Sequence, residues 1–448
     1  MIKGTWAGVC KIVEKIKFNI TKLMSTGFFF IVISDSFAKI VAFCGGTILV
    51  GILSKSDYGM YSYINNAYSI LVAMGDMGSV TAMFEFTQGN YNDEARFRGF
   101  SSYGLRRCLL FNCIPVISIL LSPYFYPYVV DGAEKMVLYL CGLPLIKNLT
   151  FFLQVNLRAN LKNNKYSAVN VFSILVHYII LIPFAYKGGV FAALCAGYVY
   201  ELATLALALF MNRGLLHISK KHTVCLSVSD KRKFGKFAVL SQINALGATF
   251  LTLLDVFMIG LIYSNEEIIA SYKVATVIPS AVAFIPTSIM VYASPFLSRN
   301  YQKYAEASKI YRKIILCTVC VCTFIAIVGI TTASWLLPLI FGKQYSDAIT
   351  CYIILLIGFL FNGGLYIPSV VAINSQRKVG VTFCITVCSG AANIFLDTIL
   401  IYRYGSIGAA VATAGVSIIS GLAAFGYFEL LVRKNSYITL RSIKGGQK

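Results

Sequence analysis

The chain has 448 residues, of which 58% are hydrophobic and 13% charged, and its mean hydropathy is +0.74. Soluble domains carry about 25% charged residues, so this composition excludes an ordinary soluble globular protein. The net charge of +21 has two explanations, a nucleic-acid surface or contact with anionic lipid head groups. We favour the lipid explanation because the hydropathy already indicates a membrane protein, and we expect no nucleic-acid partner.

Apolar runs long enough to cross a bilayer as helices follow one another along the chain. We place predicted spans 1 to 12 at residues 28–53, 58–84, 107–130, 134–157, 166–187, 188–211, 236–262, 268–297, 314–340, 347–373, 380–402 and 406–431. These spans leave no room for a folded soluble domain. The first run is longer than the apolar region of a signal peptide, so we expect it to be retained as span 1.

The basic residues fall mostly on one side of the predicted membrane. Of the 39 Lys and Arg residues, 31 lie in the terminal segments and in the connections that follow even-numbered spans, when Arg107 and Lys236 at the first positions of spans 3 and 7 are counted with those connections. The connections after odd-numbered spans, counted together with the span ends that border them, hold only Lys55, Lys135, Lys187, Lys343 and Arg403. The positive-inside rule therefore predicts that both termini are cytoplasmic. The other three basic residues, Lys39, Lys147 and Lys273, lie inside spans, where a charge requires a reason.

The second half of the chain repeats features of the first. The segment YKGGVFAALCAGYVYELATLA follows span 5 and RYGSIGAAVATAGVSIISGLA follows span 11, so that Gly188 corresponds to Gly405. Since each half has an even number of spans, both halves enter the membrane from the same side. We predict an all-α membrane protein with twelve transmembrane helices in two pseudo-symmetric six-helix bundles around a central cavity. The predicted parts are a basic N-terminal segment (1–27), two bundles (28–211 and 236–432), a basic cytoplasmic connector (212–235) and a basic tail (433–448).

Motifs for catalysis or metal binding are missing from the sequence. There is no phosphate-binding loop of the form G-x-x-x-x-G-K-[ST], no nucleophile elbow and no pair of catalytic carboxylates in a loop. The three histidines are too dispersed for a zinc site, and the closest cysteines, Cys317, Cys320 and Cys322, lie in an apolar run without acids. We therefore predict a transporter rather than an enzyme, with no catalytic residue, no cofactor and no metal site.

Three segments resemble a known family. NIFLDTILIYRYGSIGAAVATAGVSIIS (393–420) resembles the span 11–12 signature of bacterial polysaccharide flippases, in which an Asn-rich turn precedes Tyr-Gly-x-x-Gly-Ala-Ala-x-Ala-Thr. Residues 253–301 and 48–70 resemble the span 7–8 and span 1–2 regions of the same group. The whole chain is thus similar to the multidrug/oligosaccharidyl-lipid/polysaccharide (MOP) exporter superfamily, which includes the MATE transporters, and within it to the Wzx-type O-antigen flippases.

This resemblance implies a function. Such a flippase moves undecaprenyl-pyrophosphate-linked oligosaccharide, the repeat unit of O-antigen or a similar surface polysaccharide, from the cytoplasmic to the periplasmic leaflet of the inner membrane by alternating access. Its expected partners are this lipid-linked substrate, membrane lipids and a coupling H⁺ or Na⁺. A polysaccharide polymerase and chain-length proteins are candidate protein partners.

The candidate substrate-binding residues are cations and amides inside the spans. Lys147 lies near the middle of span 4 with no acid one helical turn away, so its partner must be another helix, a lipid-borne phosphate or water. Lys39 follows Asp35 by four residues, which allows an ion pair on one helix face. Lys273 lies one turn from the outer end of span 8, where snorkelling to the interface is the alternative explanation. Polar contacts to sugar or between helices are expected from Asn65, Asn66, Asn362 and Asn393.

The candidate ion-coupling residues are acids inside the spans: Asp35, Asp76, Glu201, Asp255 and Asp397. A poorly solvated carboxylate is a plausible proton or sodium site, although each of these acids has interhelical pairing as an alternative role. Two other functions remain open. A multidrug/cation antiporter of the same superfamily would use such acids without nearby lysines. A polysaccharide polymerase or ligase would carry a large outer loop, whereas the outer connections here are short.

Overall fold

All regular elements in the described part of the chain are helices. The computed structural model describes residues 28–89, 93–125, 132–215, 226–263, 265–299, 304–376 and 378–445. The α-helices are α1 (Phe28–Ile52), α2 (Lys55–Val72), α3 (Ser79–Gly89), α4 (Glu94–Phe111), α5 (Cys113–Phe125), α6 (Ala133–Leu138), α7 (Leu143–Ala159), α8 (Asn163–Met211), α9 (Val228–Tyr263), α10 (Glu266–Val282), α11 (Phe284–Arg299), α12 (Tyr304–Phe341), α13 (Ala348–Phe361), α14 (Ile367–Ser375) and α15 (Val379–Gly445). A π-helical turn, Asn362–Tyr366, joins α13 to α14, and a short 3₁₀ turn spans Lys343–Tyr345.

The helices follow the predicted spans. Among the described residues, seven helices are long and apolar enough to cross a membrane, and the two longest of them, α8 and α15, each join two predicted spans. The break in α8 lies at Gly188 and Gly189, and the break in α15 lies at Gly405. Gly189 and Gly405 have φ of 61° and 59°, a left-handed conformation that glycine adopts without steric cost. The glycines of the sequence repeat therefore mark the boundaries between spans 5 and 6 and between spans 11 and 12.

Several of the predicted spans are interrupted. Spans 2, 3, 4, 8 and 10 each consist of two shorter helices. Span 2 breaks at a turn in which Met77 and Gly78 have positive φ, and the Asp76 carboxylate accepts hydrogen bonds from the amides of Gly78 (3.3 Å) and Val80 (2.7 Å). A Cβ on Gly78 would lie 2.0 Å from the Ala238 carbonyl oxygen, so α9 can approach only a glycine here. Asp76 thus caps α3 within this turn, whereas the sequence places it inside a continuous helix.

The contacts between Cα atoms divide the chain into two compact units. Of the described residues, those within 1–48, 68–127 and 134–246 form unit 1, and those within 49–67, 128–133 and 247–448 form unit 2. In unit 1, the rings of Phe100 and Phe234 stack in a core that also contains Met83 and Phe152. In unit 2, Tyr311 packs on Phe428 in a core with Met290 and Leu297. The units do not follow the predicted boundaries at residues 211 and 236, and those boundaries stay a prediction.

Candidate functional site

Unit 2 contains a cavity of about 570 Å³ at which four of the predicted site residues meet. Asp255 comes from α9, Lys273 from α10, Asn362 from the π-helical turn and Asn393 from α15. These residues come from predicted spans 7, 8, 10 and 11, so the fold brings together side chains that are up to 138 positions apart. We call this feature the unit 2 cavity.

An acid pair lies beside the unit 2 cavity, and Asp255 is its cavity-lining member. The Asn393 side-chain amide donates to Asp255 Oδ1 (3.2 Å) and to Asp397 Oδ2 (2.7 Å), so it bridges the two carboxylates. The hydroxyls of Thr413 (2.6 Å) and Tyr272 both donate to Asp255 Oδ2. Asp397 is fully buried, and its Oδ1 has no hydrogen-bond partner in the described chain. Asp255, Asp397 and Asn393 were predicted from the sequence, whereas Tyr272 and Thr413 were missed.

The chemistry of this pair follows from its burial. Two carboxylates in a poorly solvated site repel each other, and each buried charge costs several kcal/mol unless it is compensated. A proton or a monovalent cation relieves this repulsion. Hard cations prefer oxygen ligands, which the two carboxylates and the Thr413 hydroxyl supply. The arrangement can therefore exchange a proton or a cation with the cavity.

Lys273 belongs to the lining of the cavity. It lines the unit 2 cavity together with Thr276 and Ser280, the residues three and seven positions further along α10, which share its helix face. It also lies close enough to Asp255 for an electrostatic interaction. This position favours the cavity over snorkelling as the explanation of Lys273, and its role in substrate binding stays a prediction.

Asn362 owes its position to the π-helical turn. A π-helical turn inserts one residue into a helix and is frequent at functional sites. A Cβ on the following Gly363 would lie 2.9 Å from Cys322 Sγ and 3.0 Å from Pro286 Cγ, so close packing requires glycine there. The insertion leaves the Asn362 side chain exposed at the cavity, with no hydrogen bond to any described residue. Nothing in the local hydropathy of span 10 indicates this turn.

Unit 1 holds a second polar cluster, formed by Lys147, Glu201, His177 and Tyr68. The Lys147 ammonium lies 5.6 Å from the centroid of the Tyr68 ring, and it is close enough to Glu201 and His177 to interact electrostatically. Lys147 is exposed and makes no ion pair at contact distance with the described residues. Tyr68 is 3% exposed, and its hydroxyl has no hydrogen-bond partner among them.

This cluster joins two residues that the sequence assigned to different roles, Lys147 to the substrate and Glu201 to ion coupling. The sequence analysis missed His177 because it considered histidine only as a zinc ligand. The His177 ring packs on Tyr200 with a centroid distance of 4.2 Å. An available signal was its position inside span 5, because an ionisable residue within a membrane helix is itself a functional candidate.

Asp35 joins helices of unit 1. Its Oδ1 accepts a hydrogen bond of 2.9 Å from Asn170, and it interacts electrostatically with Arg158 and with Lys39. Arg158 lies over the rings of Phe84 and Tyr166, each at 5.4 Å. Asp35 therefore contributes to an interhelical cluster, and its predicted pairing with Lys39 stays a prediction.

Asn65 and Asn66 lie in α2 and not among the residues that line the unit 2 cavity. Asn66 is buried and donates to the Ser62 carbonyl oxygen of its own helix at 2.6 Å, whereas Asn65 is half-buried. The Asn66 Oδ1 atom has no partner in the described chain. A role of these two amides in substrate binding stays a prediction.

Solved membrane transporters share this fold. An inward-facing multidrug resistance transporter of the MATE family matches with a TM-score of 0.73 at 12% identity, covering 89% of this chain and 96% of that one. The lipid II flippase MurJ in an inward closed conformation matches with a TM-score of 0.66 at 15% identity over 93% of both chains. A MOP superfamily transporter from Pyrococcus furiosus, with a binding pocket of reversed polarity, gives 0.63 at 13% identity, covering 93% of this chain and 96% of that one. These similarities show the fold and define the class, a multi-pass membrane protein with the MOP transporter fold.

The sequence family is narrower than this class. The family model of the polysaccharide biosynthesis proteins matches residues 48–350, more than half of the chain. The chain therefore belongs to the polysaccharide biosynthesis protein family, and its predicted resemblance to polysaccharide exporters of the MOP superfamily is confirmed. No curated protein matches the chain in sequence.

Proposed function

We propose that this protein is a flippase for lipid-linked oligosaccharide. It moves repeat units of O-antigen or a similar surface polysaccharide, attached to undecaprenyl pyrophosphate, to the periplasmic leaflet of the bacterial inner membrane. Its family supports a role in polysaccharide biosynthesis, and its fold supports transport rather than catalysis. The 31 basic residues on one side support cytoplasmic termini.

The main observation that supports this proposal is the position of Lys147 inside a predicted span without an ion-pair partner at contact distance among the described residues. Lys147 lies near the middle of predicted span 4, and a lysine at the centre of a membrane span costs about 2.5–3.5 kcal/mol on insertion scales, so it requires a compensating charge or water. No described residue forms an ion pair with Lys147 at contact distance, although Glu201 interacts with it electrostatically. The pyrophosphate of a lipid-linked oligosaccharide supplies a strong negative charge that Lys147 can contact. A purely structural lysine would instead be expected to hold a direct carboxylate partner.

The acid pair of the unit 2 cavity is our candidate for energy coupling. The chain has no phosphate-binding loop, so an ion gradient is the natural energy source. Asp255 and Asp397 are bridged by Asn393, and Asp397 keeps one buried oxygen without a partner in the described chain. A proton or Na⁺ bound there would change the charge of unit 2 during the transport cycle.

Lys147 variants test the proposal in cells that depend on this protein for surface glycan. Lys147→Ala is expected to abolish surface glycan at wild-type protein level, and Lys147→Arg to retain part of it, because either cation neutralises phosphate with different geometry. The matched control is Lys135→Ala, which removes an exposed lysine from α6. Normal export by Lys147→Ala would refute the role in substrate binding. A loss of protein would instead indicate a structural pairing with Glu201.

The acid pair also favours a second candidate, a cation antiporter, because carboxylates at a cavity attract cationic substrates. Expression in a host that lacks its own exporters of cationic drugs distinguishes the two functions. The antiporter predicts a rise in resistance that Asp255→Asn abolishes and Lys147→Ala leaves intact. The flippase predicts no change in resistance.

A further inference from the structure

We propose that the unit 2 cavity binds an uncharged pyranose residue of the transported oligosaccharide. The site consists of polar side chains from four predicted spans that make no hydrogen bond within the described chain: Ser280 on α10, Asn362 on the π-helical turn, and Ser389 and Ser417 on α15. This inference rests on the proposed flippase function and adds to it a sugar-binding site.

The hydroxyls of these serines are not bonded to the backbone of their own helices. Serine and threonine in a helix commonly donate to a carbonyl oxygen three or four residues earlier. Thr276, Thr386 and Ser420, which line the same cavity, do so at 2.7, 2.9 and 3.3 Å. Ser280, Ser389 and Ser417 make no such bond. Their hydroxyls therefore keep both donor and acceptor capacity for a ligand in the cavity.

The shape and lining of the cavity suit a sugar ring. Its volume of about 570 Å³ lies within the range of about 300–1,000 Å³ that is typical of ligand pockets. Pro279, Phe359 and Tyr366 add apolar and aromatic surface between the polar groups. A pyranose presents hydroxyls around its edge and C–H groups on its faces, so it needs both kinds of contact. A lone cation needs neither this volume nor apolar walls.

The charges at the cavity point to a neutral sugar. Lys273 and Asp255 lie close together and have opposite charges, so each partly compensates the other without a charged ligand. The Lys273 ammonium can still form charge-assisted hydrogen bonds with sugar hydroxyls, which are stronger than neutral ones. Because a buried polar group that loses its partner is costly, such a site discriminates between sugars that differ in the orientation of one hydroxyl.

Cysteine protection tests occupancy of the cavity by sugar. Ser389→Cys is introduced into a chain otherwise free of cysteine, and membranes are prepared from cells that assemble the lipid-linked oligosaccharide and from cells that cannot add its first sugar. We expect a small charged methanethiosulfonate reagent to label Cys at this position at least threefold more slowly in the first membranes. The control is Lys378→Cys, at an exposed position just before the same helix and outside the predicted spans, whose labelling rate should not change.

Each outcome decides the inference. Slower labelling of the Ser389→Cys variant only where the sugar is present supports it. Equal labelling in both membranes overturns it, and so does equal protection by added undecaprenyl pyrophosphate without sugar, which would indicate lipid. Failure of the unmodified chain to export glycan would instead refute the proposed function, and this inference with it.

Serine variants in the wild-type background provide a second measurement that does not require removal of cysteines. Ser389→Leu and Ser417→Leu are expected to lower glycan export at least fivefold at matched protein level, and Ser417→Thr, which keeps a hydroxyl, is expected to restore most of it. Thr398→Leu, on an exposed face of α15, is the control. Thermal stabilisation of the purified variants by NaCl should equal that of the wild type. Unchanged export, or a loss of the cation effect, would contradict a sugar site.

Discussion

The ammonium of Lys55 lies 2.8 Å from Asp347 Oδ2, and this ion pair joins the first turn of α2 to the residue that precedes α13. Lys55 also donates to the Gln344 carbonyl oxygen at 3.1 Å, and Ser271 on α10 donates to Asp347 Oδ2 at 2.7 Å. Three segments of unit 2 thus meet at one carboxylate. By the predicted topology, this cluster lies at the outer side of the membrane.

The Lys55–Asp347 pair predicts a coupled effect on stability. The Asp347 side chain is 55% exposed, so the pair should contribute about 0.2–1 kcal/mol. Lys55→Met and Asp347→Asn should each lower the thermal midpoint of the purified protein slightly, and the double variant no further than the worse single variant. The measurement is a double-mutant cycle of thermal unfolding in detergent. Lys187→Met serves as the control, and strictly additive losses would show that the pair contributes nothing.

The acid pair predicts specific stabilisation by a cation. A ligand that binds only the folded state raises its stability with increasing concentration. The wild type should therefore be more heat-stable in NaCl than in choline chloride of equal ionic strength. Asp397→Asn and Asp255→Asn should each abolish the difference, and the exposed Asp57→Asn should not.

A proton as the coupling ion would give a different result in the same assay. Na⁺ would then have no specific effect, but the pH dependence of the midpoint would differ between the wild type and Asp397→Asn. If neither NaCl nor pH separates the two proteins, the acid pair has no coupling role.

Asp35 and Lys39 provide a test of charge pairing. If the two residues only neutralise each other, replacing both by Ala should restore most of the export that either single change removes. We expect no such rescue, because Asp35 also accepts from Asn170 and interacts with Arg158, contacts that the double variant still lacks. Surface glycan at matched protein levels is the readout. Near-normal export by the double variant would remove both residues from the candidate site.

The charge asymmetry predicts the position of the connector between the two halves of the sequence. A cysteine placed by Lys231→Cys, an exposed position in the first turns of α9, should react with an impermeant thiol reagent only after the cells are permeabilised. Lys187→Cys, at a predicted outer connection, should react in intact cells. Labelling of the Lys231→Cys variant from outside would overturn both the topology and the parallel repeat.

The sequence by itself determined the number and order of the membrane segments and the class of protein. Hydropathy predicts these features well because a helix in lipid must form all of its backbone hydrogen bonds internally. Each span is therefore a local property of about 20 residues. The position of the predicted spans also indicated Lys147, Asp255 and Asp397 as candidate functional residues, because a charged side chain inside a span has a high free-energy cost. The glycines at 188 and 405 marked the span boundaries, since a left-handed turn requires that residue type near these positions.

Only the tertiary structure decided which of these candidates act together. Asp255 and Asp397 meet through Asn393, and Lys147 lies near Glu201, although no pattern within a single span relates them. Such contacts depend on which face of each helix packs against its neighbours. In a uniformly apolar span, the sequence has little periodicity that would indicate this face. The position of Lys273 in the lining of the cavity has the same origin. Hydropathy also does not predict the helix breaks at Gly78 and Asn362. These breaks result from close packing against other helices and not from a loss of apolar character in the sequence.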